Sequence, residues 1–253
     1  MPPHKPDHAS FANAISKGAA TIFARCRFVL SHPSHPGNIG AAARAIKTMG
    51  FERLELVAPK RFPDPQATAL ASGAEDVLTG AGVHQSLADA LKGATLVAGL
   101  SARRRDLSHR QFDAREAARL LTSEEAPVLV FGNEMSGLSN RELELCQILV
   151  TIPANPAYAS LNLAAAVQVL AYEMRMAAVQ PASSVPTEAQ YARHEDIEQF
   201  YAHLEQVMIE TGFLDPTQPK RLMPRLRRLF SRTRLEHEEV NILRGVLRAT
   251  QRR

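Results

Sequence analysis

The stretch Val128-Leu129-Val130-Phe131, followed directly by Gly132-Asn133, decides the fold class of this chain. A short, unbroken apolar run of this kind is typical of a strand that is buried on both faces of a parallel sheet. Further strands are predicted over 27–31, 53–57, 95–99 and 148–152, with a weaker one near Val83. Helical stretches are predicted over 39–49, 66–71, 87–91, 114–121, 140–146 and 160–176. This alternation predicts an α/β fold, a parallel sheet with helices on both faces.

The composition of the chain is that of a globular protein. Of its 253 residues, 45% are hydrophobic and 22% are charged, close to the average for folded domains. No apolar run is long enough to predict a membrane span, and no pattern near the start predicts a secretory signal. Cys26 and Cys146 are too few for a disulfide framework or a structural zinc site. We therefore expect a cytoplasmic enzyme or binding protein, with no metal and no membrane partner.

The chain is predicted to have four segments. Residues 1–24 lack a clear period and are expected to form a loose extension, and residues 25–178 carry the α/β pattern. Residues 179–189 are rich in proline and serine, which predicts a linker. Residues 190–253 return to helical spacing, with helices fitting 222–230 and 238–249. This small helical extension is too short to bury all its apolar faces, so a second copy of the chain is its natural partner.

Positive charge is concentrated near the end of the chain. The net charge is only +4, but Lys220 to Arg253 contains eleven basic residues against three acidic ones. A second cluster is Arg103-Arg104-Arg105. Guanidinium groups bind phosphate through paired hydrogen bonds, so both clusters favour nucleic acid as a partner. A solvated helix face is the alternative explanation.

The first segment with chemical character contains Asn38, Gly40 and Arg44, after the first predicted strand. Its glycines permit a tight turn, and the N-terminus of the following helix attracts anions. A dinucleotide site is not indicated, because the full glycine pattern is missing and no acidic residue ends the next strand. Arg44 could also be an ordinary surface residue of an alanine-rich helix.

Two later segments follow predicted strands. Residues 131–138 include Glu134 between two glycines, in a loop at the carboxyl end of a strand, where α/β proteins place ligands. Residues 152–163 include Ser160 and Asn162 before an apolar helix. The structural alternatives are a simple turn for the former and helix capping for the latter. If Ser160 caps the helix, Asn162 is left to bond a ligand or a neighbouring loop.

In this order, the three segments resemble the three motifs of the SpoU (TrmH-like) RNA 2′-O-ribose methyltransferases. The pattern N-x-G-x-x-x-R follows the first strand, F-G-x-E-x-x-G-L follows a late strand, and S-L-N precedes the last helix of the sheet region. The resemblance covers residues 25–249 and includes Ser101-Ala102-Arg103 and the basic tail. It is strongest to a subfamily that methylates the ribose of nucleotide 32 in the tRNA anticodon loop.

The resemblance implies a fold, a cofactor and partners. The C-terminal part of the sheet region would be threaded as a trefoil knot, which the pattern alone does not predict because knots are very rare. S-adenosylmethionine would be the cofactor and tRNA the substrate, and a homodimer would let one subunit help to form the other's site. The implied cofactor-binding residues are Leu100, Ser101, Ala102, Gly132, Ile152, Ala159, Ser160 and Leu161. The implied catalytic residues are Arg44, Asn38, Glu134, Ser160 and Asn162, and RNA contacts are expected from Arg44, Arg103, Arg105, Arg227 and Arg228.

The role of Arg44 is constrained by its chemistry. An arginine side chain stays protonated at any ordinary pH, which makes it a poor general base. We expect it to hold RNA phosphate and to stabilise the developing alkoxide rather than to abstract the proton. Two departures from the family pattern stand beside the motifs, since Asn133 replaces a common arginine and Ala159 a common serine.

Three other functions are weighed against methyl transfer. A non-catalytic RNA-binding protein would share the basic clusters but would not need Arg44, Glu134 and Asn162 together. A nucleotide-dependent oxidoreductase lacks its fingerprint, and a metal hydrolase would rest on His32 and His35 with no carboxylate nearby in sequence. The motifs also leave open whether cytidine, uridine or both are modified, and whether another tRNA position or a ribosomal RNA is the substrate.

Overall fold

The computed structural model describes residues 22–101, 110–179 and 190–251. Its strands are β1 (Arg27–Ser31), β2 (Arg53–Val57), β3 (Gly82–His84), β4 (Leu96–Leu100), β5 (Arg110–Asp113), β6 (Pro127–Phe131) and β7 (Ile148–Thr151). Its helices are α1 (Pro36–Thr48), α2 (Pro65–Ala71), α3 (Glu75–Thr79), α4 (Leu87–Ala90), α5 (Ala114–Thr122), α6 (Asn140–Glu144), α7 (Leu163–Val179), α8 (His194–Glu210), α9 (Leu222–Thr233) and α10 (His237–Gln251). None of these helices has the length and hydropathy that a membrane crossing requires.

The strands form one seven-stranded sheet in the order β3-β2-β1-β6-β4-β7-β5, and every neighbouring pair is parallel. The predicted α/β fold is therefore confirmed. Strand β4 begins one residue later than expected, and β5 was missed because its sequence, R-Q-F-D, has a single apolar residue. Such a polar strand is tolerated at β5 because it lies at the edge of the sheet.

Apolar side chains cover both faces of the sheet. One face carries Phe28, Leu56 and Phe131 and packs against α1, α2, α5 and α7, while the other carries Val29 and Val130 and packs against α4 and α6. Both faces are thus buried, which explains the unbroken apolar runs in β1 and β6. The trefoil knot implied by the resemblance stays a prediction.

The glycines of the first motif have a packing role. A Cβ atom on Gly40 would overlap the carbonyl group of Ala67 in α2, and one on Gly37 would lie 2.8 Å from the side chain of Leu70. Only glycine allows the two helix backbones to approach this closely. The position of α1, and with it the direction in which the first motif points, therefore depends above all on Gly40, where the contact is with backbone.

The structure moves two predicted boundaries, namely the end of the N-terminal extension and the start of the helix predicted over 160–176. Of the expected loose extension, residues 22–24 instead belong to a helical turn in which Ile22 and Phe23 are buried in the core. Residues 1–21 and most of the predicted linker, 180–189, lie outside the described residues. The predicted helix over 160–176 begins only at Leu163 and continues to Val179.

The C-terminal helices have a small core of their own. Ala192, Phe200, Tyr201, Leu235 and Val240 are buried together. The first turn of α8 also touches the sheet region, because the backbone N–H of His194 donates to the carbonyl of Ala94 at 2.7 Å and Glu195 accepts from the N–H of Gly93 at 2.8 Å. No residue of α9 is buried, and Val240 alone is buried in α10.

Candidate active site

A pocket of about 260 Å³ opens where β4, β6 and β7 end. Leu100, Phe131 and Ile152 lie at or directly after the three strand ends, and the loops that follow β6 and β7, with the first turn of α7, form the remaining walls. These three strands are neighbours in the sheet order, with β4 between β6 and β7. Ligands of α/β proteins bind at this edge of the sheet, outside the carboxyl ends of the strands.

Most of the residues that the resemblance implies for the cofactor lie around this one pocket. They are Leu100, Ser101, Gly132, Ile152, Ala159, Ser160 and Leu161. Ala102 lies outside the described residues. The lining residues come from three separate parts of the sequence, so the fold brings together what the sequence keeps apart. Their part in binding a cofactor stays a prediction.

Gly132 allows the loop after β6 to fold back on itself. A Cβ atom at this position would overlap the backbone of Gly137 and Leu138. The N–H of Gly137 donates to the carbonyl of Asn133 at 2.8 Å, which closes the turn, and Gly137 itself has a φ of +67°. The two glycines of the second motif are therefore required by the shape of this wall of the pocket.

Three of the predicted catalytic residues are joined by hydrogen bonds. The amide of Asn162 donates to Oδ1 of Asn38 at 3.0 Å, and the amide of Asn38 donates to Oε1 of Glu134 at 2.9 Å. Each residue belongs to a different motif. The network holds the starts of α1 and α7 against the loop after β6, so the three loops are fixed relative to one another.

Glu134 is the charged member of this network. Its carboxylate also accepts from the backbone N–H groups of Ser34 at 2.9 Å and His35 at 3.2 Å. Partial burial alone would raise the pKa of this carboxyl, but the hydrogen bonds from Asn38 and the two N–H groups outweigh burial and leave it below its usual value. Glu134 is therefore ionised, and it bonds the two backbone N–H groups directly before α1, close to the helix N-terminus that the sequence suggested would attract an anion.

Asn162 has both of the roles that the sequence considered. It is the residue before the first turn of α7, and its Oδ1 accepts from the N–H groups of Ala164 at 2.9 Å and Ala165 at 3.3 Å. Its amide group at the same time bonds Asn38. The cap is thus Asn162 and not Ser160, which explains why α7 starts later than predicted. Ser160 remains in the pocket wall.

Arg44 is not placed in the pocket of its own chain. It lies six residues after Asn38 on α1, about 9 Å further along the helix axis, and it is exposed. Its guanidinium has no hydrogen-bond or ion-pair partner among the residues that the structure describes. If Arg44 acts on a reacting group, that group must approach from outside this chain's own pocket.

Sequence reasoning missed two polar groups that support the site. The amide of Asn133 donates to the carbonyl of His32 and to Oγ of Ser34, both at 2.7 Å, and so ties the loop after β6 to the loop after β1. Glu142 accepts from Oγ of Ser31 at the end of β1. The spacing Ser139-x-x-Glu142 is a capping-box pattern and was the available signal for the second group.

The predicted RNA contacts fall into three classes. Arg103 and Arg105 lie outside the described residues, and Arg228 is exposed on α9. Arg227 points the other way, since its two terminal nitrogens donate to the two carboxylate oxygens of Glu198 at 2.7 and 2.8 Å. Its guanidinium carbon also lies 4.5 Å from the centre of the Tyr201 ring. Both sets of contacts give Arg227 a structural task in joining α9 to α8.

Metal-binding geometry is not found around the histidines of the first loop. Within residues 22–101, 110–179 and 190–251, no group of three or more His, Cys, Asp or Glu side chains is arranged to hold a metal ion. His32 is mostly exposed, and its Nδ1 is 3.6 Å from the carboxylate of Glu142. Both side chains lie close to the end of β1, where Oγ of Ser31 also donates a hydrogen bond to Glu142.

Comparison with known proteins agrees with the geometry. The sequence profile of the SpoU rRNA methylase family matches residues 25–172, and the profile of the C-terminal domain of the tRNA methyltransferase TrmJ matches residues 195–253. The match covers more than half of the chain, so the chain belongs to the SpoU methylase family, a family of methyltransferases.

Within that family, the chain is similar to TrmJ over nearly its whole length. It is 47% identical to the tRNA (cytidine/uridine/adenosine-2′-O-)-methyltransferase TrmJ of Pseudomonas aeruginosa, over 90% of this chain and 94% of the relative. It is 52% identical to the tRNA (cytidine/uridine-2′-O-)-methyltransferase TrmJ of Cronobacter sakazakii, over 87% of this chain and 94% of the relative. The crystal structure of TrmJ from Z. mobilis superposes with a TM-score of 0.79 at 32% identity and covers 89% of this chain and 98% of that chain.

Proposed function

We propose that this chain transfers a methyl group from S-adenosylmethionine to the 2′-oxygen of the ribose of nucleotide 32, cytidine or uridine, in the anticodon loop of tRNA. The observation that carries the proposal is that the second and third motifs line one pocket at the strand ends, and that the Asn38–Glu134–Asn162 network joins the first motif to them. The substrate and the reacting atom of the proposal, tRNA and the ribose 2′-oxygen, are taken from the names of relatives that are about half identical over most of the chain. Since tRNA is cytoplasmic, so is the expected location of the enzyme.

The pocket has the chemistry that an adenosyl cofactor needs. Leu100, Leu138 and Ile152 supply apolar surface, which suits an aromatic base, while the strand ends supply backbone donors and acceptors. The ionised Glu134 is the nearest negative charge in the wall and would favour a cationic sulfonium. When bound, the cofactor supplies an electrophilic methyl group. The residues of this chain bind it, orient it and exclude water.

The polar network would fix the geometry of transfer. Alignment of two reacting groups supplies roughly 7–11 kcal/mol of the barrier when they are held close to attack geometry. Asn38, Glu134 and Asn162 are held by each other and by the backbone, so little reorganisation is needed when the ribose arrives. Ser160, in the adjoining wall, would hydrogen-bond the ribose or the incoming guanidinium.

Arg44 would act in a homodimer. Because its guanidinium is exposed and lies outside the pocket of its own chain, it would serve the pocket of a second subunit. There it would hold the phosphate of the target nucleotide and stabilise the negative charge that develops on the 2′-oxygen. The proton of the hydroxyl group would leave to solvent or to the phosphate, since the guanidinium is already fully protonated.

The experiment that tests the proposed function uses the purified full chain with unmodified tRNA and isotopically labelled S-adenosylmethionine. The tRNA is digested, and its fragments are analysed by mass spectrometry. The proposal predicts one labelled 2′-O-methyl group per tRNA at nucleotide 32. Label at another nucleotide would keep the reaction and change the site, and label on a base, or none at all, would contradict the reaction itself. A transcript with 2′-deoxyribose at nucleotide 32 is the matched control and should accept no label.

A further inference from the structure

An open depression of about 490 Å³ lies at the turn between α8 and α9, far along the chain from the pocket at the strand ends. Its walls combine one aromatic ring with basic side chains: Phe213, Lys220, Arg221 and Arg225. The ring of Phe213 is 71% exposed, which is unusual for a phenylalanine. An exposed aromatic ring beside several cations is the combination with which proteins bind unpaired nucleotides.

The turn is built to present this ring. Leu214, the next residue, is buried, and its N–H donates to the carbonyl of Met208 at 2.9 Å, so the chain is anchored directly behind Phe213. Gly212, with a φ of +72°, makes the change of direction at the end of α8. The ring is therefore held outward by a fixed backbone.

The cations of the depression are available to a ligand. Lys220, Arg221 and Arg225 are all exposed, and none forms an ion pair with a carboxylate of the described residues. Asp215 also lines the depression, but its carboxylate accepts from both the N–H and the hydroxyl of Thr217, at 2.8 and 2.7 Å. The net charge of the depression is positive, which favours an anionic ligand and disfavours an apolar protein surface.

We infer that this depression binds an unpaired nucleotide of the RNA substrate, with its base stacked on Phe213 and its phosphates held by Lys220, Arg221 and Arg225. This rests on the proposed function, which makes RNA the substrate, and it adds a second contact point that shares no residue with the pocket at the strand ends. Since stacking tolerates any base, the site would recognise that a nucleotide is unpaired rather than which nucleotide it is.

Binding of the full chain to two fluorescein-labelled RNAs, without cofactor, tests this inference. One probe is an oligouridine, and the other is a blunt-ended RNA duplex of equal length. Phe213→Ala should weaken oligouridine binding about tenfold, in line with the loss of one stacked base, and should change duplex binding by less than about twofold. Phe213→Trp should bind like the wild type and Phe213→Leu like Phe213→Ala, because only an aromatic ring stacks. Ile242→Ala is the matched control, since it removes a similarly exposed apolar side chain of α10, 65% exposed, and should leave both affinities unchanged.

Arg221→Gln and Arg225→Gln should each lower the slope of log affinity against log salt for oligouridine by about 0.7. Equal losses on both probes, or wild-type binding by Phe213→Leu, would overturn the inference. A change in the molar mass of Phe213→Ala in light scattering would also overturn it, because the ring would then belong to a contact between protein chains. Because no arm of this experiment measures methyl transfer, its failure is distinct from failure of the proposed function.

Discussion

The pocket at the strand ends and the surface of the C-terminal helices differ in whether their polar side chains are bonded within the chain or exposed to solvent. Around the pocket, Asn38, Glu134 and Asn162 bond to one another and to backbone N–H groups. Arg221, directly before α9, and Arg225 and Arg228 within it are exposed. Chemistry at a single atom requires fixed geometry, whereas attraction to a polyanion requires only charge within reach. The comparison teaches that the same chain fixes the polar groups of one region and leaves the cations of another exposed, as the proposed reaction and the proposed binding of RNA would respectively require.

The largest expected effect comes from Arg44. This residue is part of the first motif, but its side chain is exposed to solvent outside the pocket. Arg44→Ala should lower kcat/KM for tRNA about 100- to 1,000-fold, the usual loss when one stabilising donor is removed from a developing anion. Initial rates of methyl transfer measure it. Lys47→Ala is the matched control, because Lys47 is an exposed cation of the same helix that pairs with Asp76.

The same assay separates two roles for Arg44. If a positive charge alone suffices, Arg44→Lys retains most of the activity. If the paired hydrogen-bond donors of the planar guanidinium are needed, Arg44→Lys behaves like Arg44→Ala. Near wild-type activity in Arg44→Ala would remove this residue from the mechanism altogether. A mixed dimer of Arg44→Ala and a pocket variant such as Leu161→Trp should regain partial activity if Arg44 serves the partner's pocket.

Glu134→Gln comes next and tests whether the network must carry a charge. The glutamine amide cannot accept from both Asn38 and the N–H groups of Ser34 and His35, so one donor would face another. We expect kcat/KM to fall about 10- to 100-fold, with a smaller change in KM than in kcat. An unchanged kcat would mean that the network does not position the reacting groups.

The lowered pKa of Glu134 also predicts the direction in which stability changes with pH, which unfolding measurements can check. Its carboxylate stabilises the fold above the pKa of the unfolded chain, and the contribution is lost as pH falls through the lower pKa of the folded state. The difference in unfolding free energy between wild type and Glu134→Gln should therefore be constant above about pH 5.5 and shrink at lower pH. A difference that grows on acidification would contradict the ionised state.

Arg227 and Arg228 are adjacent in sequence but should differ in effect. Arg227→Ala breaks the paired contact with Glu198 and the contact with Tyr201, so it should lower the free energy of unfolding by about 1–2 kcal/mol, a value reduced because both groups still touch water. Arg228→Ala should change stability by less than about 0.5 kcal/mol and should lower the salt slope of tRNA binding by about 1. Urea unfolding and salt-dependent binding measure the pair, and equal behaviour in both assays would refute the assignment.

The smallest effect concerns His194, where α8 meets the sheet region. Burial lowers the pKa of this imidazole, although Glu198 and Glu195 act in the opposite direction, and its Nε2 has no partner among the described residues. Because the unfolded chain binds the proton more tightly, stability should fall as pH drops below about 6.5. His194→Leu should lose this pH dependence between pH 5 and 7, as followed by thermal unfolding, while His203→Leu, at a half-buried histidine of α8 that bonds Gln251, should retain it.

Local sequence signals predicted the sheet and the two loops that follow β6 and β7, whereas the individual cofactor residues were implied by the family resemblance. Buried strands such as β6 are apolar without interruption, and the glycines at 132 and 137 mark a turn that side chains would block. Strand β5 left no such signal, since an edge strand with one apolar residue looks like a loop. Helix α3 was missed for a similar reason, as only Val77 and Leu78 of its five residues are buried.

Other features depend on distant contacts that no local pattern contains. Arg227 points inward because it bonds Glu198, 29 positions earlier in the sequence. The run of basic residues alone could not show which arginine is paired with a carboxylate and which is exposed. Asn133 ties two loops whose sequence separation is about a hundred residues. The position of Arg44 outside its own pocket follows from how α1 packs on α2, through Gly37 and Gly40.

A calorimetric titration of the full chain with S-adenosylmethionine tests the central claim most directly, namely that the pocket at the strand ends holds the methyl donor. The wild type should bind one molecule per chain, and Leu161→Trp, which places a bulky indole ring in the pocket wall, should bind at least about tenfold more weakly. Phe213→Ala should bind the cofactor as the wild type does. No heat from the wild type at millimolar cofactor, or equal affinity in Leu161→Trp, would contradict the account.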